Sequence, residues 1–350
     1  MDGFGERLKA ARKMAGLSQQ GLADATKNLI TKQAISKYEK GKMFPASEIL
    51  IAISTALGVK TGYFYRQSQV ELTRLEFRKK SKLSKKDEKR VKYQTLDFLE
   101  RYLEIETIMG QQTEFENPLK DTTIENLDDV EMASMRLREA WDLGTAPASN
   151  LMEMLEDKGG RILEIELPGE FDGLSAWADK IPVITINKNR DLVRKRLTIV
   201  HELAHLMLNF DNCRENDLEK LCHSFAGAFL IPKEKMIEEL GSHRSKITFL
   251  ELKKLKGIYG ISIMALVVRA RNLGIINEHS YRKFFILSSK KGWKSGKIKE
   301  PGAYVGREYA NRFRQLVAWA VAEEIITMSK GAELMNVSLT EFRRGFQIAA

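Results

Sequence analysis

The amino-acid sequence predicts a multidomain chain, mainly α with one α+β region. An all-α unit opens it, an α+β domain follows a helical connector, and a helical extension closes it. Three observations carry this expectation. Leu8, Ala11, Leu17, Leu22, Ala23, Ile35, Tyr38, Ile49, Ile53 and Leu57 recur at helical spacing through residues 1–66. RILEIEL (161–167) and PVITINK (182–188) are short apolar runs, the second rich in β-branched residues, and they read as strands. From RKRLTIVHELAHLMLNF (194–210) onward the pattern returns to a helical period.

Taken in order, Gly16, Gly41, Pro45 and Gly58 punctuate the helices of residues 1–66. Residues 67–92 form a charge-rich connector containing RKKSKLSKKDEKR at 78–90, and 93–109 repeat apolar side chains every three or four positions, as a long amphipathic helix does. Residues 110–128 are polar, contain Asn117-Pro118 and read as a linker; VEMASMRLREAW then marks a helix over about 129–142. LMEMLEDKGG reads as a helix stopping at Gly159-Gly160. DLEKLCHSFAGAFLI (217–231) is helical and closed by Pro232, and KITFLELKKLKGIYG and SIMALVVRARNLG are helical as well. The stretch from 284 holds the basic, Gly-rich KKGWKSGKIKEPG and then two or three helices. The expected domains are therefore 1–66, a basic helical connector 67–128, an α+β domain 129–280, and a helical C-terminal extension 281–350.

Composition narrows the function. With 350 residues the chain has room for two or three domains. No run of some 20 apolar residues is present, and the opening MDGFGERLKAARKMAGL is amphipathic and charged, so neither a membrane span nor a signal peptide is expected. The two cysteines, Cys213 and Cys222, form no CxxC pair and no disulfide framework, which points to a reducing, cytoplasmic setting. Residues 1–92 hold 21 Lys+Arg against 9 Asp+Glu, whereas the remainder is nearly balanced at 36 against 38. All of the basic excess thus sits in the first quarter, where it marks either a polyanion-binding unit or a solvated basic face.

The chemistry-bearing motif is His201-Glu202-Leu203-Ala204-His205, an HExxH pattern. On a helix, residues four apart share a face, so both imidazoles reach one ion, and zinc is the expected cofactor. Glu202 stands beside that ion, placed to take a proton from water and return it to a departing amine. The strand at 182–188 is expected at a sheet edge, where an extended peptide would pair with it. A catalytic zinc needs a third protein ligand and an open position. Glu219 and His223, four apart on the next helix, are the candidates. Glu219 is favoured as the ligand, with His223 as a supporting or alternative ligand, and Asp217 is the weaker choice. Cys222, on the same helix, reads as a buried structural thiol.

HELAHLML, followed some 20 residues later by EKLCHSFAGAFLIP, resembles the ImmA/IrrE family of metallopeptidases, as do RLTIV before it and YGISIMALVVRARNLGII after it. The resemblance covers about residues 130–275. It implies a zincin-like α+β peptidase domain that cuts a regulatory protein, in settings that include stress responses, mobile elements and toxin–antitoxin pairs. Members often carry Glu-Ala-Asn or Glu-Ala-Asp before the Phe-Ala; here Leu221-Cys222-His223 stands there, with the acid at Glu219.

At the other end, GERLKAARKMAGLSQQGLA, KQAISKYEKGKMFP and LIAISTALGV resemble the XRE (Cro/C1-type) helix-turn-helix family over residues 4–62. Ser18 is the expected N-cap of the second helix, which places Gln19 near a phosphate. The third helix, about 31–40, would enter the major groove of double-stranded DNA, with Thr31, Lys32, Gln33, Ser36 and Lys37 reaching bases or phosphates and Ala34, Ile35 and Tyr38 packing. The turn TKNLI is longer than in many members and lacks their glycine.

Together these features predict a DNA-binding transcriptional regulator with a zinc endopeptidase domain, whose partners are an operator, a protein such as a repressor or antitoxin, and a second copy of the chain in a homodimer. Two other readings compete. In one, the peptidase-like domain of a regulator or antitoxin binds a toxin or senses a signal without cutting. In the other, His201, His205, Glu219 and His223 close a purely structural zinc site.

Overall fold

A computed structural model describes residues 3–66, 84–166, 171–210, 213–293 and 298–346, and the backbone of 73–76. The chain is multidomain and mainly helical with one α+β region, as its sequence predicts. It divides into two compact units. One gathers Met1–Thr113 and Asn311–Ala350; the other gathers Glu114–Leu167 and Asp172–Ala310. The stretch 281–350 is therefore shared: its first 30 residues belong to the α+β unit and its last 40 to the N-terminal unit.

In the N-terminal unit, helices Phe4–Met14, Gln19–Ala25, Lys32–Glu39 and Ser47–Leu57 enclose Leu8, Leu22, Ile35 and Ile53, all fully buried. Side chains cap two of these helices: Ser18 accepts from Gly21 N and Thr31 from Ala34 N. The turn between them solves its missing glycine by holding Lys27 and Asn28 at φ 54° and 59°. The long helix Lys85–Met109 begins at the Ser84 cap, earlier than its apolar period suggested, and packs along the first helix of the unit. Arg7 joins the two, donating to Glu100 at 2.6 Å. The C-terminal helices Arg312–Ala322, Met328–Leu334 and Leu339–Gly345 belong here too. Tyr102 and Ile105 pack with Phe313, Val317 and Leu334, and Arg101 caps the Leu334 carbonyl. Residues 78–83 of the basic run lie outside the described residues.

In the other unit, strand Ile181–Asn187 is parallel to Arg161–Ile165 and antiparallel to Gly173–Ala178. The first two strands answer the expected ones at 161–167 and 182–188. Gly173–Ala178 is an addition, joined to its neighbour by a tight turn with Asp179 at φ 54°. The strand at 182–188 is thus interior rather than an edge strand. Its side chains explain why, since Pro182 through Asn187 are all buried, and such a strand needs neighbours on both sides. Helix Leu192–Met207 packs over the sheet, helix Glu215–Leu230 packs against that helix, and all share one apolar core. The expected linker at 110–128 also contributes to that core. Leu119 and Ile124 are fully buried, and the backbone of Thr122 and Ile124 bonds to Asn209 just beyond the first of these helices. Its polar composition concealed two anchoring side chains. Among the described residues no helix is long and apolar enough to cross a membrane.

Candidate metal centre and nucleic-acid interface

The helix Leu192–Met207 starts at Asp191, whose side chain accepts from Arg194 N, and it runs into the core without a break. Its depth decides the setting of the motif: His201 and Glu202 are 0 % and 1 % exposed, and His205 is half-buried. Deeper support comes from Arg196 on the same helix. Its guanidinium is fully buried, pairs with Glu308, donates to the carbonyls of Ala148 and Ser149, and lies 4.5 Å from the Tyr304 ring. Glu308 in turn accepts from the backbone of Leu151 and Met152, capping helix Leu151–Asp157.

The neighbouring helix Glu215–Leu230 brings in the remaining donors. His201 Nε2 lies 3.1 Å from His205 Nε2. Glu219 reaches both rings, Oε1 at 3.3 Å from His205 Nε2 and Oε2 at 3.6 Å from His201 Nε2. Ligand atoms of His201, Glu219 and His223 lie within 4.8 Å of one another. The His223 ring is 4.2 Å from that of His201, and His223 is exposed, so the cluster opens to solvent on its side. Asp217 does not join: it pairs with Lys220 at 2.8 Å on the surface.

These distances suit zinc. A tetrahedral ion with bonds of roughly 2.0–2.1 Å sets its donors about 3.3–3.4 Å apart, close to the separations among His201, His205 and Glu219. The electrostatics agree. Burial pulls the His205 imidazole down, but hydrogen bonds with Cys222 and Glu219 and the charges around it outweigh burial and push it up to about 11. Burial keeps the Cys222 thiol protonated, so the lasting source of that pull is the carboxylates of Glu219 and Glu202. The carboxylates of Glu219 and Glu202 beside the imidazoles favour a cation here. The donors of the site, two imidazoles and a carboxylate, are those zinc takes.

Two neighbours, Ser175 and Gly173, escaped sequence reasoning. Ser175 Oγ, fully buried on strand Gly173–Ala178, donates to Glu202 Oε2 at 2.9 Å. Gly173 on that strand lies so close that a Cβ there would sit 2.5 Å from Thr198 Cγ2 and 3.4 Å from Glu202 Cγ. Cys222 Sγ lies 3.9 Å from His205 Nδ1, at the ring nitrogen turned away from the donor cluster. The GLSAWA strand lacks β-branched residues, so nothing local announced Ser175; Cys222 was legible only as a buried thiol.

In the N-terminal unit, Lys32, Gln33 and Lys37 of helix Lys32–Glu39 are exposed and Ser36 is half-buried. With spacings of four and five they form one stripe, while Ile35 and Tyr38 face the core. Thr31 is committed to capping. Gln19 donates to Glu39 Oε2 at 2.7 Å, and Arg12 grips the same carboxylate at 2.5 and 3.0 Å. Gln19 is thereby held at the start of its helix by a contact within the unit.

Two family models match the chain: a helix-turn-helix over residues 8–64 and the IrrE N-terminal-like domain over residues 155–271. A curated relative is 41% identical over 68 residues, 19% of this chain. It is the SPbeta prophage-derived uncharacterized HTH-type transcriptional regulator YonR of Bacillus subtilis (strain 168), and this chain spans 61% of its length. The chain therefore joins an XRE-type helix-turn-helix, at residues 8–64, to an ImmA/IrrE-like domain of the IrrE N-terminal-like family, at residues 155–271.

Proposed function

We propose that the chain is a DNA-binding transcriptional regulator whose second unit is a zinc-dependent endopeptidase acting on a regulatory protein, such as a repressor or antitoxin-like partner. The observation that carries the peptidase reading is the convergence of His201, His205 and Glu219 beside the buried carboxylate of Glu202. His201, His205 and Glu219 would hold the zinc, with His223 at the open side. When bound, zinc supplies Lewis acidity and lowers the pKa of a water molecule toward roughly 7. Glu202 accepts the proton of the attacking water at its carboxylate and delivers it to the leaving amine nitrogen. Ser175 keeps that carboxylate aimed by donating to its other oxygen. His223, exposed at the mouth, donates to the substrate carbonyl as charge develops on it.

The helix-turn-helix and the likeness to the YonR regulator support operator binding, with Lys32, Gln33, Ser36 and Lys37 as the contact stripe, Gln19 and Thr31 at the helix starts, and a dimer on a palindromic site. The burial of Glu202 favours one competing reading, in which the domain binds a partner or senses a signal without cutting. One experiment separates the two. Wild type and Glu202→Gln, both loaded with zinc, are incubated with a proteome-derived peptide library and new N-termini are identified by mass spectrometry. New termini with wild type alone support the peptidase; identical profiles from both proteins refute it and favour the binding reading.

A further inference from the structure

Among the described residues, Lys85, Lys86 and Lys89 of the connector line a cleft with residues of the helix-turn-helix. The turn after the first helix, at Gly16 with φ 69°, leaves room for the start of the long helix Lys85–Met109. A Cβ at Gly16 would lie 3.5 Å from Lys86 Cε and 3.7 Å from Arg90 Cδ. The result is a cleft of about 420 Å³ lined by Lys13, Lys85, Lys86 and Lys89 together with Ser18 and Gly21. No acid lines it among the described residues. Of the acids around it, Asp87 accepts from the Ser84 hydroxyl at 2.6 Å, Glu88 follows it in the same first turn, and Glu39 is gripped by Arg12.

This arrangement gathers four ammonium groups around one cleft with no acid in its lining. Lys85 and Lys86 occupy the first positions of a 25-residue helix, where the helix dipole disfavours positive charge. Burial first, and then the charges of Arg12, Lys89 and Lys9, hold the Lys13 ammonium below its usual range, and Glu39 only partly offsets them. Lys85, Lys86 and Lys89 are exposed and carry no packing role that would account for their grouping. The cleft also adjoins the start of helix Gln19–Ala25, the element of a helix-turn-helix that crosses the DNA backbone.

We infer that this lysine cleft is a second nucleic-acid contact, one that grips backbone phosphates flanking the operator and extends the interface beyond the helix-turn-helix. The inference rests on the proposed DNA binding and adds to it Lys85, Lys86 and Lys89, which lie outside residues 8–64. Its ligand chemistry is the phosphate group, with no base readout. The cleft raises affinity for any duplex and leaves sequence preference unchanged.

The test is a salt titration of full-length protein against a short random-sequence duplex, read by fluorescence anisotropy. The proteins are wild type, Lys85→Gln/Lys86→Gln/Lys89→Gln, the matching triple Lys→Arg variant, and Lys32→Gln/Lys37→Gln. The slope of log K against log salt falls by roughly 0.9 for each phosphate that the protein no longer neutralises, so the triple Gln variant should lose about 2–3 while the Arg variant keeps the wild-type slope. Unchanged thermal stability of the Gln variant shows that folding is intact. An unchanged slope in the Gln variant, with a reduced slope in Lys32→Gln/Lys37→Gln, overturns the cleft and leaves DNA binding standing. Absence of duplex binding by wild type overturns both. Calorimetry with inorganic tripolyphosphate distinguishes the other phosphate source. Stoichiometric binding that the Gln variant loses, beside an unchanged DNA slope, would assign the cleft to a free polyphosphate and overturn the backbone contact.

Discussion

The two units treat their candidate functional residues in opposite ways. In the α+β unit, His201 and Glu202 are among the most buried polar side chains, on the same helix as Arg196, which pairs with the buried Glu308. In the N-terminal unit, Lys32, Gln33 and Lys37 stand in solvent, while stability rests on other residues such as Arg12 and Glu39. A metal centre needs fixed donors and a dry surround, so its residues are also structural. A DNA-reading surface needs reach and charge, so its residues are free of packing duties. In the first unit function and stability share a helix, and in the second they are separable.

The largest effect that would sharpen this contrast comes from Arg196. Removing one member of a buried pair leaves an uncompensated buried charge, so Arg196→Ala or Glu308→Ala should cost about 3–5 kcal/mol in urea denaturation. Burial pushes Glu308 up even beside Arg196, so the pair gains little over apolar packing. The double variant Arg196→Met/Glu308→Leu should therefore recover most of the loss. Single losses within ~0.5 kcal/mol of wild type would contradict the sharing of function and stability on this helix.

In the N-terminal unit, Arg12→Ala frees the Glu39 carboxylate from its bidentate partner and should cost about 3 kcal/mol. Gln33→Ala/Lys37→Ala should leave stability within ~0.5 kcal/mol while weakening duplex binding. If the recognition-helix variant unfolds the unit as Arg12→Ala does, function and stability are not separable there. A smaller and opposite change is expected at the turn. Lys27 holds φ 54° without being glycine, so Lys27→Gly should raise thermal stability by up to about 1 kcal/mol.

A comparably small loss is expected in the Thr248–Glu251 capping box, where Thr248→Ala should cost about 1 kcal/mol. Hydrogen bonds from Thr248 N and Oγ hold the Glu251 carboxyl below its ordinary 4.5. A folded-state value below the unfolded one stabilises above about pH 4.5, and the contribution disappears as pH falls through the folded value. The cost of Thr248→Ala should accordingly shrink in acid and stay constant at higher pH, as paired denaturation curves would reveal.

Legibility in the sequence followed the range of each interaction. HExxH and the Glu219/His223 pair are periodic within single helices, so spacing alone placed them on shared faces. The stripe Lys32–Lys37 and the Ser18 and Thr31 caps are equally local. Ser175 reaches Glu202 across 27 positions from a strand with no β-branched residue, and Arg196 finds Glu308 across 112. Neither partnership leaves a local trace. The sharing of 281–350 between units was hidden for the same reason, since the packing of Phe313 and Leu334 against Tyr102 joins residues far apart in the chain. The interior position of the strand at 182–188 depended on Gly173–Ala178, the strand whose composition masked it.

Metal analysis of purified full-length protein tests the central claim most directly, comparing wild type with His201→Ala and Glu219→Ala after reconstitution. The proposed centre predicts about one zinc per chain in wild type, none in His201→Ala, and weakened retention in Glu219→Ala. A wild type that takes up no zinc, or a Glu219→Ala variant that holds it as tightly as wild type, would contradict it.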